Sequence, residues 1–434
     1  MRNIRIHVFG RPLGRPLGRL LGLFAFLPLL LAACDSELRV LVPDTALLDE
    51  LTGTRPMSAA TGTVTEGVYA VSRGSDRLGD TVVVKSSPRT LSVFCSKNSM
   101  YAVLDCGSSD SSLVATGYWR NAHSPQTGLC LMRMSADEGG RAVVNGERAA
   151  SMILRGVLGS ATDMNGDSVV LTYCRPLHRD ARAFSILAHR GGGRNSDRLP
   201  YSENSVELIR MAQKFGATGV EIDVRLTKDG VPVLYHDENF NTRLVNGEYM
   251  VGPIGNYTYA QIQTFCRLLN GERLPTLADA LRAVVDSTQL RTVWLDVKDV
   301  ASVDTVIALQ QEAMERAREL VRTGLRDTLE VLFGLASTEV YDRFLERADY
   351  RSIPSVCELG VDQTRASSSR VYGSRWTLGT ITDAVNTLHA EGKRAFVWTL
   401  DADEFILRFL QEGSFDGVLT NYPPTVAYHY YVQP

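Results

Sequence analysis

The sequence predicts an α/β protein: a (β/α)8 TIM-type barrel over residues 184–434, preceded by a small all-β domain, barrel or sandwich, over residues 61–178. Three observations carry this. From residue 184 onward, strand-like apolar runs alternate with amphipathic helical segments, the signature of a parallel sheet wrapped by helices. About 240 residues are available for that half, which is the length such a barrel needs. Between 61 and 176, short alternating runs recur with Gly, Ser, Asp and Asn between them, as in antiparallel barrels and sandwiches.

The chain opens with MRNIRIHVFGRPLGRPLGRLLGLFAFLPLLLAAC, where five arginines and no acid precede an apolar run. That run is shorter than the roughly 20 residues of a comfortable membrane span, so residues 1–33 read as an export signal. Leu31-Ala32-Ala33-Cys34 has the form of a bacterial lipobox. The expectation is a lipoprotein cut before Cys34, with a diacylglycerol on that cysteine and residues 34–60 as the tether. It would be exported and anchored to the cell envelope, periplasmic or on the outer surface. Without the signal, 46 basic residues fall to 41 against 49 acidic ones. A mildly acidic chain with no basic cluster is no nucleic-acid binder.

Six further cysteines, at 95, 106, 130, 174, 266 and 357, fit disulfides or buried thiols equally. Cys95 and Cys106 end neighbouring strand-like runs and are candidates to pair. The all-β runs are GVYAVSR, DTVVVKS, TLSVFCS, MYAVLDC, SLVATGYWR, GLCLMRMS, SMILRGVLG and SVVLTYC. In the second half the strand candidates are SILAH, GVEIDV, TVWLDV, EVLFGL, SIPSVCEL, RAFVWTL and DGVLTN, with an eighth from VPVLYH or from around SRWTL.

Most of the chemistry lies between 184 and 240. In GVEIDVRLT, Glu221 and Asp223 stand two apart on a strand and share one face. Two carboxylates in one small space ask for cations, either basic side chains or a metal ion. Lys228-Asp229-Gly230 makes a tight turn, so VPVLYH returns antiparallel and sets His236 opposite the two acids. Upstream, ILAHR ends in His189 and Arg190, and Gly191 to Gly193 let backbone amides approach an anion. Asp296 and Lys298 in TVWLDVK repeat the two-apart pattern. Glu203 could ligate, orient a histidine or cap the helix that follows it. Asp401 and Glu404 have the spacing of a capping box.

HRG at 189–191, EN at 203–204, VEIDVRLTKDG at 220–230, HD at 236–237, WLDVK at 294–298, FVWTL at 396–400 and DGVLTNYP at 416–423, in that order, resemble the glycerophosphodiester phosphodiesterases. The resemblance covers about 184–425 and implies a TIM barrel whose substrate is a glycerophosphodiester. It implies His189 and His236 as the acid-base pair, with Glu221, Asp223 and Asp296 as ligands of one divalent cation, Ca2+ or Mg2+. Arg190 and Lys298 would contact phosphate, and Trp398 would pack on the alcohol. The family usually has glutamate where this chain has Asp296, and often aspartate where it has Asn421. The reaction implied yields glycerol 3-phosphate and an alcohol. A phospholipase D-like enzyme acting on lysophospholipids and a non-catalytic binding lipoprotein are the alternatives. No GxSxG elbow or Walker loop points elsewhere.

Overall fold

The computed structural model describes residues 40–179, 184–247 and 249–434. The expected export signal and Cys34 lie outside the described residues.

All eight expected strands of the first half form. They are Gly67–Arg73 (β2), Thr81–Ser87 (β3), Thr90–Cys95 (β4), Met100–Ser108 (β5), Leu113–Asn121 (β6), Thr127–Met134 (β7), Ile153–Leu158 (β8) and Asp167–Arg175 (β9), after a two-residue strand Arg55–Pro56 (β1). Each pairs antiparallel with the next, and β9 returns to β2, so the sheet closes into an up-and-down barrel. Closure leaves no long edge to pair with another chain. Alternate residues fill the interior, among them Val82 and Val84, Leu91 and Val93, Ala102 and Leu104, and Cys130 and Met132. The six described cysteines are free thiols, so Cys95 and Cys106 are not joined. Burial pushes the Cys130 thiol up to about 12, as befits a core filler.

The second sheet contains Ser185–Ala188 (β10), Gly219–Leu226 (β11), Pro232–Leu234 (β12), Thr292–Val297 (β13), Glu330–Leu335 (β14), Ser355–Cys357 (β15), Val371–Arg375 (β16), Arg394–Trp398 (β17) and Gly417–Thr420 (β18). Eight of these run parallel and close through the β10–β18 and β10–β11 pairings. The eighth barrel strand is β16. VPVLYH supplies β12, an antiparallel hairpin partner of β11 with Val224 opposite Leu234. One main helix follows each barrel strand: Val206–Ala212 (α1), Leu277–Ser287 (α2), Val303–Arg322 (α3), Thr338–Leu345 (α4), Val361–Ala366 (α5), Thr382–Ala390 (α6), Asp403–Glu412 (α7) and Pro423–Tyr431 (α8), with a further short helix, Tyr259–Phe265, in the segment between β12 and α2. Ser205, Thr276 and Ser337 cap α1, α2 and α4 by accepting backbone N–H groups three residues on. The charged α3 buries Val303, Val306, Ile307, Gln310, Ala313, Met314 and Ala317 on one stripe and shows its other side to solvent.

The barrel is a packed core. Trp294 fills its middle, flanked by Gly334 and Gly373, where a Cβ would come within 3.1 Å and 2.9 Å of the indole. The outward residues of the first barrel, Val68, Val83, Phe94, Tyr101 and Val103, share one cluster with Phe215, Val426, Ala427 and Tyr430 of the second. Helix α8 carries much of this contact. Tyr428 Oη meets Thr81 Oγ1 at 3.0 Å, and Arg175 Nη1 donates to Gln433 O at 2.8 Å.

Candidate active site

The expected site residues of the second half gather toward the carboxyl ends of the parallel strands, where such barrels place their chemistry. Glu221 and Asp223 alternate on β11, and Asp296 on β13 stands in register with Asp223. These three offer oxygens all within 4.8 Å of one another. Glu221 Oε1 and Asp296 Oδ1 are buried with no hydrogen-bond partner among the described residues. Burial, and then the charges of Asp223 and Asp296, push the Glu221 carboxyl well above its ordinary range. Burial opposes ionisation of Asp223 too, but Lys298, then His236 and Arg190, outweigh it and hold Asp223 at about 2. A cluster that is deeply buried, strongly acidic and left with orphan oxygens fits a hard divalent cation.

Lys298 lies among these acids. Its Nζ is 3.0 Å from Asp223 Oδ1 and pairs also with Asp296 Oδ2. Arg190 adopts a left-handed backbone conformation, φ 52°. This turns its N–H onto Glu221 Oε2 at 2.9 Å while Nη1 donates to Glu203 Oε1 at 2.7 Å. Its Nε is buried and makes no hydrogen bond among the described residues. Glu203 also accepts from Arg243 Nη1 and from Asn195 N. It therefore anchors two arginines and a loop, while the helix cap falls to Ser205. Asn204 donates Nδ2–H to Asp223 Oδ2 at 2.8 Å and accepts from Asp223 N.

His189 Nδ1 lies 2.7 Å from Asn421 Oδ1, and Nε2 lies 3.8 Å from Glu221 Oε2. Asn421 Nδ2 donates to Asp401 Oδ2 at 2.7 Å, so Asn421 Oδ1 faces the imidazole as an acceptor. His189 therefore carries its proton on Nδ1 and turns the Nε2 lone pair toward the acids. Burial, then the charge of Arg190, lowers its pKa to about 4. His236 Nδ1 is 2.6 Å from Asp237 Oδ1, which also accepts from Arg243 Nη2 at 2.7 Å. The two imidazoles thus differ in partner: a neutral amide for His189, a carboxylate for His236.

Two assignments change. Asp401 and Glu404 do not form a capping box, because Ala402 is the N-cap of α7 and makes no side-chain cap bond. Asp401 instead holds Asn421 N, Asn421 Nδ2 and Thr420 Oγ1. Asn421, at first sight a departure that weakens the position, is the partner of His189. Trp398 ends β17, donates Nε1–H to Gly373 O at 3.1 Å and has Arg375 stacked at 5.1 Å. Sequence reading also passed over Glu358, after β15, whose carboxyl is pushed up to about 8 by burial and then by the charge of Asp296. Its one signal was a lone acid at the end of a strand candidate.

Buried carboxylates, two differently held imidazoles and guanidinium donors at the mouth of a (β/α)8 barrel define a hydrolase of anionic esters. Residues 189–425, more than half of the chain, match the model of the "Glycerophosphoryl diester phosphodiesterase family". The chain belongs to this family, and with it to the phosphoric diester hydrolases. A glycerophosphodiester phosphodiesterase of Caldanaerobacter subterraneus subsp. tengcongensis is 26% identical over 250 residues, 56% of this chain and 95% of that protein. Human glycerophosphodiester phosphodiesterase 1 is 36% identical over 33% of this chain and 42% of its own length. A crystal structure of a glycerophosphodiester phosphodiesterase from Parabacteroides distasonis aligns with TM-score 0.45 and 21% identity, over 57% of this chain and 96% of that one.

Proposed function

We propose that the protein hydrolyses glycerophosphodiesters to glycerol 3-phosphate and an alcohol, using a divalent cation together with His189 as base and His236 as acid. The observation that carries this is the pair of imidazoles facing a buried three-carboxylate cluster with orphan oxygens. Glu221, Asp223 and Asp296 would hold calcium or magnesium, which when bound supplies positive charge against the phosphodiester oxygens. The remaining work belongs to side chains of the barrel. Arg190 Nε and Lys298 Nζ donate to phosphate, Lys298 exchanging part of its pairing with the acids for the substrate. His189 Nε2 accepts the proton of the attacking oxygen as the new P–O bond forms; water gives glycerol 3-phosphate directly, whereas the glycerol's own hydroxyl gives a cyclic phosphate that water opens in a second step. His236 delivers the proton of its Nε2 to the departing alkoxide as the old P–O bond breaks. The positive charge of an imidazolium at 236 is met by Asp237, which is why the acid role falls there.

Release of glycerol 3-phosphate from glycerophosphocholine, measured with EDTA and then with calcium or magnesium restored, tests the proposal. EDTA-resistant turnover would remove the cation from it, and no turnover with any ion by folded protein would remove the reaction. Export and lipidation at Cys34 rest on the sequence alone. Radiolabelled palmitate should enter the full chain and not its Cys34→Ala variant. Lysophospholipids are the second reading. It draws on Tyr249, Val251 and Phe265, which are 85%, 75% and 60% exposed on the segment after β12.

A further inference from the structure

We infer that Glu358, together with Trp398, forms the subsite for a cationic group on the leaving alcohol. The inference deepens the proposed diester hydrolysis and rests on it. Gly373 is the hub of the arrangement. A Cβ there would lie 3.1 Å from Glu358 Cγ and 2.9 Å from Trp294 Cη2, so glycine leaves the space in which these side chains lie. The carbonyl of the same residue accepts the Trp398 indole N–H at 3.1 Å. Glu358 and Trp398 therefore both adjoin one backbone position, which Trp294 also packs against.

Charge accounting then separates Glu358 from the other acids of the cleft. Glu221 accepts from Arg190 N, Asp223 from Asn204, Asp296 pairs with Lys298, and Asp401 accepts from Asn421. The Glu358 carboxylate makes no hydrogen bond or ion pair among the described residues, although it is only partly open to solvent. Arg375, the basic residue of the neighbouring strand end, stacks on the Trp398 indole and makes no ion pair with Glu358 among the described residues. Burial and the charge of Asp296 oppose ionisation of Glu358, and Lys298 and Arg375 offset this only from beyond ion-pair distance; an ammonium group bound beside it would hold the carboxyl in its charged form. Of the two alcohols in a glycerophosphodiester, glycerol carries no charge, so only the head group brings a cation. The acids and Lys298 occupy the phosphate position on β11 and β13, and Glu358 follows β15, two strands further round the barrel.

The test is the ratio of kcat/KM for glycerophosphocholine to that for glycerophosphoglycerol, whose leaving alcohol is neutral. In Glu358→Gln the ratio should fall about tenfold or more, while Glu358→Asp, which keeps the charge, should lose less. An unchanged ratio, or equal losses on both substrates with a raised calcium requirement, would overturn the assignment. Should the unaltered protein cleave neither diester, the proposed reaction itself has failed. Saturation-transfer NMR with choline then reads the subsite directly: a choline signal lost in Glu358→Gln upholds it, and no signal with the unaltered protein overturns it.

Discussion

Asn421→Ala removes the one side chain that joins His189 to Asp401. In the intact protein Asn421 Oδ1 accepts the His189 Nδ1 proton at 2.7 Å, and its Nδ2 donates to Asp401 at 2.7 Å. The substitution leaves Asp401 its bonds to Asn421 N and Thr420 Oγ1, so the loop keeps two of three anchors. What is lost is the acceptor that fixes the imidazole tautomer and ring angle. One net hydrogen bond is worth about 1 kcal/mol, which sets a floor of roughly fivefold in rate. The ceiling is the whole contribution of a general base, about 10² to 10⁴. Asn421→Ala should therefore lower kcat between those limits. KM should change less than kcat, because Asn421 acts through His189. Coupled detection of glycerol 3-phosphate gives both constants, and a melting curve confirms that the variant is folded. A folded variant with kcat within about twofold of the unaltered protein would refute the assignment of Nε2 as the catalytic nitrogen.

His236→Ala should cost at least about 10²-fold in kcat with the fold intact, and a near-normal rate in steady-state assays would take the acid role from it. Arg326 is buried and donates to Val285 O at 2.8 Å, Val284 O at 3.3 Å and Leu290 O at 2.6 Å. Arg326→Met should therefore destabilise the protein by about 3 kcal/mol or more in urea unfolding, since buried carbonyls lose their donor; a change under about 1 kcal/mol would contradict this. Gly373→Ala brings a methyl group into the space held by Trp294 and Glu358. An overpacking cost of about 1–3 kcal/mol is expected in the same measurement, and no loss would mean that the barrel plug yields freely.

The barrel was legible where apolar β-branched runs are unbroken, as in GVEIDV and TVWLDV, and the turn at Lys228-Asp229-Gly230 correctly announced the hairpin that carries His236. Strand β16 was harder to place because its sequence, VYGSR, includes the glycine that Trp294 requires and lacks a clear alternation. Helix α8 begins with two prolines and continues with tyrosines, a composition that advertises no helix, although proline at the first turn is compatible with one. Glu221 and Asp223, and likewise Asp296 and Lys298, could be singled out because each pair stands two apart on a strand, and the histidines because each ends or follows a strand-like run beside them. The Asp401–Asn421–His189 chain could not, since its members come from strand ends that meet only when the barrel closes. Asp401 was further disguised by Glu404, whose spacing imitates a cap. Glu358 has no hydrogen-bond or ion-pair partner among the described residues, and its environment is made by Asp296 and Lys298 of the β13 end together with Gly373 and Arg375 of β16.

Helix α8 begins two residues after Asn421 and buries eight of its nine residues, partly against the outside of the first barrel. A segment so apolar has no stable existence in water once that surface is gone. Heat should accordingly melt the two barrels in one calorimetric transition, and the second barrel expressed by itself should aggregate or melt at a lower temperature. Loosening of the first barrel would also reach the catalytic end through this short stretch of backbone, as a slackening of the loop that holds His189. The upstream barrel would thus brace the catalyst through the packing of α8.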